Sequence, residues 1–235
     1  MAKQKASSYM TRGELIAGMI FFVVYLVVLP FVADKAFDLA AKLLGANISD
    51  ALRNAIYYYV LFVVTLVIFH QFLSRTSHQA MDRLGEVCKN IALGMVAMYG
   101  LNELVYRLTN LVMTNRTNLN DTTISAQIED APRTTLLIIV FIAPFVEEVL
   151  FRGLVFGNLK AKYRVAAYVV SCLLFAALHV WQFAVVNRDM TYFLLMVQYL
   201  VPGLVLAWVY ERSGTLWTSI GLHMAVNALA AMARG

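Results

Sequence analysis

Pro144-Phe145-Val146-Glu147-Glu148-Val149-Leu150-Phe151-Arg152-Gly153 sets two adjacent carboxylates and a guanidinium in a run that is otherwise apolar from Thr134 to about Leu159. On insertion scales, each formal charge near a bilayer centre costs about 2.5–3.5 kcal/mol. A helix that merely anchored the chain would have no use for three of them. The stretch is therefore expected to be half of a site whose other half lies further along the chain.

The rest of the sequence supports a membrane setting. The chain has 235 residues, 61% of them hydrophobic and only 14% charged, less charge than a soluble domain of this size carries. Several apolar runs reach the ~20 residues that cross a hydrocarbon core. The fold class is all-α, a polytopic transmembrane helix bundle of about seven spans. These are expected near Gly13–Ala33, Ala51–Leu73, Ile91–Met113, Thr134–Leu159, Arg164–Phe183, Thr191–Glu211 and Thr215–Met232. Residues 34–46 alternate charged and apolar side chains at helical spacing, which predicts a short amphipathic helix in the interface. Asn47-Ile48-Ser49-Asp50 supplies capping residues for the second span. Residues 74–89 form a polar loop, and 114–133 a longer one. The chain thus divides into residues 1–133, N-terminal helices with an amphipathic segment and the polar loop 114–133, and residues 134–235, a four-helix core. Both belong to one membrane domain.

Loop charge sets the orientation. With the N-terminus in the cytoplasm, the inner segments carry Lys3, Lys5, Arg12, Arg75, Arg83, Lys89, Lys160, Lys162, Arg164 and Arg212. The outer ones carry Lys35, Lys42, Arg53, Arg116, Arg133, Arg188 and Arg234, ten basic residues against seven, and cytoplasmic loops hold the excess of Lys and Arg. The net charge of +5 is read as this loop bias. No basic cluster is long enough for a nucleic-acid footprint, so nucleic acid is not an expected partner. Cys88 and Cys172 have no metal-site spacing, and neither a disulfide framework nor a thiolate metal site is expected.

Glu148 and Arg152 are four apart and share a helix face on which they can pair. Glu147 is turned about 100° from Glu148 and is free to face a substrate or water. Pro144 cannot bond to the carbonyl four residues back, which predicts a kink beside the site. Gly153 and Gly157 form a small-xxx-small pair suited to a close helix approach. The fifth span carries His179, and the seventh carries His223 and Asn227, four apart on one face. At 1.5 Å of rise per residue these groups, with Glu147, all fall in the middle of the bilayer, where only a bundle interior suits them. Glu103 and Arg107, four apart on the third span, are expected to pair with each other.

Glu147-Glu148-x-x-x-Arg152, then Phe175-x-x-x-His179, then His223-x-x-x-Asn227, in this order on successive helices, resembles the CPBP family of CAAX proteases and bacteriocin-processing or immunity proteins, of which the type II CAAX prenyl endopeptidases are the best-known members. The resemblance covers Thr134 to the C-terminus. It implies an intramembrane endopeptidase acting near the terminus of a membrane-associated protein or peptide, with the bilayer as its surroundings. Glu147 with His179 would activate a water, His223 and Asn227 would stabilise the oxyanion, and Glu148 and Arg152 would hold Glu147 in place. The family mechanism is metal-independent and needs no cofactor, while two histidines and a glutamate (Glu147, His179, His223) leave a zinc site open as the alternative. A non-catalytic membrane protein of bacteriocin-immunity type and a small transporter or proton relay are the competing functions. The absence of an internal repeat counts against the transporter. The expected location is a bacterial cytoplasmic membrane.

Overall fold

The structure, a computed structural model, describes residues 10–112 and 118–233. Lys3, Lys5, Arg116 and Arg234, which enter the orientation argument, lie outside them, as do Met113 at the end of the third expected span and residues 114–117 of the expected polar loop. Among the described residues every regular element is a helix.

Helix α1 runs Arg12–Leu44 without interruption. Thr11 caps it in a reciprocal box: the Glu14 N–H donates to the Thr11 hydroxyl at 3.2 Å and the Thr11 N–H to the Glu14 carboxylate at 2.7 Å. Pro30 does not end the helix, because the turn before it, Val24–Val28, widens so that the Leu29 N–H reaches back five residues to Val24. A wide turn of this kind relieves the clash between a proline ring and the preceding turn. The segment expected as a separate interfacial helix is thus the end of the first span. Nothing breaks the helix before Gly45, which takes the left-handed φ of 61° that a glycine tolerates.

Ser49 caps α2 (Asp50–Ile68), accepting from Leu52 N–H at 3.3 Å. The chain turns at Phe69 and continues as α3 (His70–Met81). Helix α4 (Leu84–Val112) follows, so the expected loop 74–89 is almost wholly helical. Phe69 has no side-chain oxygen to cap α3. The buried Glu14 carboxylate takes that part, accepting from the Phe72 N–H at 2.6 Å and pairing with Arg75 at 3.2 Å. Part of the expected polar loop 114–133 is likewise a helix, α5 (Leu119–Asp130), capped by Asn118. Then come α6 (Pro132–Lys160), α7 (Arg164–Leu178), α8 (Trp181–Val186), α9 (Met190–Ser213) and α10 (Leu216–Met232).

Among the described residues four helices, α1, α2, α6 and α9, are long and apolar enough to cross a membrane, and α7 and α10 are shorter apolar helices. Helix α4 does not reach that hydropathy; Glu103 and Arg107 pair on it at 2.6 Å, both exposed. The molecule is an all-α polytopic bundle and an integral membrane protein. Helix α6 is its axis, in contact with α1, α2, α7, α9 and α10. Every residue from Pro144 to Phe156 is buried, whereas α1 and α2 present Ile16, Ile20, Val63 and Val67 outward, as lipid-facing surfaces do.

Glycines allow the close approaches. A Cβ on Gly94 of α4 would lie 2.5 Å from Leu222 of α10, and one on Gly203 of α9 would lie 3.3 Å from the Cys172 backbone of α7. Gly153 and Gly157 serve different neighbours, Phe72 and Tyr210, rather than one partner helix.

Candidate active site

Helix α6 carries its charges through two irregular stretches. Over Ile138–Ile142 the turn widens, and the Ala143 N–H reaches five back to Ile138. Pro144 has no N–H to offer. This register leaves the Ile139 carbonyl to another donor, and Asn227 Nδ2 of α10 supplies it at 2.8 Å. The irregularity expected at Pro144 is therefore a wide turn pinned by Asn227. A second wide stretch, Glu148–Phe156, begins between the two carboxylates. Wide turns in membrane helices frequently accompany functional sites.

The two carboxylates face different surroundings. Glu148 is fully buried, and its Oε1 accepts from Arg152 Nη1 at 2.9 Å and lies 2.9 Å from His223 Nδ1. Arg152, also fully buried, donates its Nη2 to the Gly203 carbonyl at 3.2 Å and rests its guanidinium 4.2 Å from the Phe175 ring centre. The ion pair that the i, i+4 spacing predicts is formed. Its further partner is His223 of α10. Glu147 lines a cavity of about 630 Å³, and its Oε2, like Glu148 Oε2 behind it, is buried with no hydrogen-bond partner. A buried carboxylate oxygen left unpaired is costly, and a site that binds water or substrate there would recover that cost.

His179 ends α7. Its Nδ1 lies 2.8 Å from the Phe175 carbonyl, the acceptor that its own backbone N–H would use in a continuing helix; that N–H turns instead to Ala176 at 3.3 Å. The imidazole thereby displaces its own backbone, which explains why the expected span Arg164–Phe183 stops at Leu178 and resumes as the short α8. A carbonyl only accepts, so Nδ1 carries the proton and the neutral ring keeps its lone pair on Nε2. The His179 ring lies 4.8 Å from Phe175 and stacks on Tyr199 at 4.3 Å with 22° between planes. Phe175 also meets His223 edge-on at 5.9 Å.

Glu147, His179, His223 and Asn227 all line the one cavity, while Glu148 and Arg152 sit behind it. Tyr25, Tyr57, Tyr58, Trp181 and Tyr199 complete an aromatic wall, and Asp34, Arg53 and Asp121 reach its rim. Tyr199 and Asn118 escaped the sequence reading, since one aromatic in an apolar span and one Asn in a polar segment carry no signal of their own. Among the described residues no three His, Cys, Asp or Glu side chains converge into a group that could hold a metal ion, so the set Glu147, His179 and His223 does not fit a zinc site as it stands. Cys88 and Cys172 are both free.

Residues 130–229 match the family model described as type II CAAX prenyl endopeptidase Rce1-like. Among curated proteins, UPF0177 protein YxdF of Lactococcus lactis subsp. lactis (strain IL1403) is 31% identical over 90 residues, 38% of this chain and 44% of the relative's own length. The chain thus matches less than half of that relative. No solved structure matches this chain. The resemblance carried by the three motifs therefore stands, and the matched stretch, residues 130–229, holds all six site residues.

Proposed function

We propose that the protein is an intramembrane endopeptidase of CAAX-protease type that hydrolyses a peptide bond near the terminus of a membrane-associated protein or peptide in a bacterial cytoplasmic membrane. The observation that carries the reading is the convergence of Glu147, His179, His223 and Asn227, from three helices, on one cavity, with Glu147 Oε2 buried and unpaired in it. A volume of about 630 Å³ is in the range of sites that enclose a ligand of a few side chains.

In this reading Glu147 takes a proton from a water that also donates to His179 Nε2. The oxygen of that water bonds to the scissile carbonyl carbon, and the carbonyl electron pair moves onto its oxygen. Asn227 keeps one amide hydrogen beyond the bond to Ile139 and offers it to this oxyanion. His223, with Nδ1 held at Glu148, has Nε2 as its remaining polar atom, a donor to the same oxyanion when the ring holds a second proton. Collapse breaks the C–N bond, and Glu147 returns its proton to the leaving amine. Arg152 pairs with Glu148 and so holds the carboxylate that fixes the His223 ring. No step is routed through a metal or cofactor.

The test is reconstitution of wild type, Glu147→Ala, His179→Ala and His223→Ala with a panel of membrane-tethered peptides. Cleavage by wild type and its loss, by at least 100-fold, in Glu147→Ala is the expected outcome. Equal cleavage by all four proteins would sink the assignment. Repeating the wild-type assay with a strong chelator should leave the rate unchanged; a loss restored by zinc would overturn the metal-free mechanism.

A further inference from the structure

The catalytic reading makes His179 a group whose Nε2 must point at one water, and His179 stands at the end of α7, where the regular helix ladder breaks off. Tyr199 of α9, twenty residues away in sequence, is stacked nearly parallel on its ring at 4.3 Å, and Phe175 flanks it at 4.8 Å. With Nδ1 tied to the Phe175 carbonyl, the imidazole is constrained on both neighbouring rings and at one nitrogen, and Nε2 is the edge left over. Tyr199 is itself held: its hydroxyl lies 2.8 Å from Asn118 Nδ2 and 3.2 Å from Asn118 Oδ1. Asn118 also donates to Gln198 Oε1 at 2.9 Å and caps α5, accepting from the Asn120 N–H at 3.0 Å. Helix α5 in turn lines the cavity through Asn120, Thr123 and Gln127.

We propose that Tyr199 is the positioning residue for His179. The ring of Tyr199, stacked on the imidazole, fixes its plane. The inference rests on the peptidase reading for its consequence but not for its geometry. Reactive groups need to be held to within about 10–20° of the productive arrangement, and a misplacement of about 1 Å costs on the order of 100-fold in rate.

The experiment uses the full chain in lipid nanodiscs, with isotope-labelled histidine, and the tethered peptide that wild type cleaves best. The His179 ring signals are identified by their loss in His179→Ala. A stacked tyrosine moves those ring protons upfield, so Tyr199→Leu should shift them downfield while Tyr199→Phe leaves them near the wild-type position. In the cleavage assay Tyr199→Leu should lower kcat about 10–100-fold with KM within about twofold. Tyr199→Phe, which keeps the ring and loses the hydroxyl, should restore most of the rate. His179 signals that do not move in Tyr199→Leu overturn the proposal, as does an unchanged kcat in a Tyr199→Leu protein with wild-type melting. Equal loss in the Phe and Leu variants also overturns it, because the stack would then not be what matters. Full cleavage by His179→Ala is a different failure: it removes the peptidase assignment, while the ring signals still decide whether Tyr199 orients His179.

Discussion

Glu147 and Glu148 are neighbours of identical chemistry, and their surroundings give them different weights in stability. Glu148 holds Arg152 and His223 on one oxygen deep in the bundle. Replacing it by Gln removes the charge that compensates Arg152, and loss of one partner of a buried pair costs about 3–5 kcal/mol. Glu147 takes part in no such pair and lines the cavity, so Glu147→Gln, close to it in shape, should change stability by less than about 1 kcal/mol while abolishing cleavage. Denaturant unfolding in detergent separates the two; equal destabilisation would contradict the division of roles. The sequence made the Glu148–Arg152 pair legible, because i, i+4 spacing alone puts both groups on one face. It could not show that the pair serves His223, since that contact depends on how α10 is rotated against α6.

At the scale of elements, the wide turn before Pro144 and the amide of Asn227 form one device. Asn227→Ala leaves the Ile139 carbonyl without its donor, at a cost of about 1–3 kcal/mol. Pro144→Ala restores an N–H to α6 and lets the ladder satisfy that carbonyl, so Asn227→Ala should cost at least 1 kcal/mol less in the Pro144→Ala background. Strict additivity of the two changes would show that they are independent. Helix approach offers a second check. Gly203 meets the Cys172 backbone, which cannot rotate away, and its carbonyl accepts from Arg152. Gly203→Val should therefore cost about 1–3 kcal/mol by overpacking, whereas Gly100, with open space around its Cα, should gain about 0.5–1 kcal/mol as Ala. Proline and glycine marked these positions in the sequence, but not their outcomes. Pro144 predicted an irregularity without saying that Asn227 would meet the freed carbonyl. Nothing local at His179 announced that its imidazole would end α7.

For the molecule as a whole, the long apolar runs made the bundle legible, while the continuity of α1 past Ala33 and the helical α3 and α5 were not, because polar composition resembles a loop until packing supplies partners such as Glu14 and Asn118. Orientation is the property with the largest functional consequence. If α2, 19 residues and about 28 Å long at 1.5 Å per residue, crosses the membrane and α3 lies at its surface, the turn at Gly45–Ser49 and the turn between α3 and α4 fall on opposite sides. The basic residues Arg75, Arg83 and Lys89 cluster at the second turn, which the positive-inside rule assigns to the cytoplasm. The charged rim of the cavity, Asp34, Arg53 and Asp121, belongs to the first. Cys88 is exposed beside the second turn and Cys172 is buried, so the native cysteines report the topology without engineering. A membrane-impermeant maleimide should label Cys88 in inside-out vesicles and leave it unlabelled in intact cells, with Cys172 protected in both until the protein is denatured. That pattern places the cavity rim on the non-cytoplasmic side, from which a polar substrate segment would enter. Labelling of Cys88 in intact cells would invert the orientation and bring the rim, with Glu147 beneath it, to face the cytoplasm.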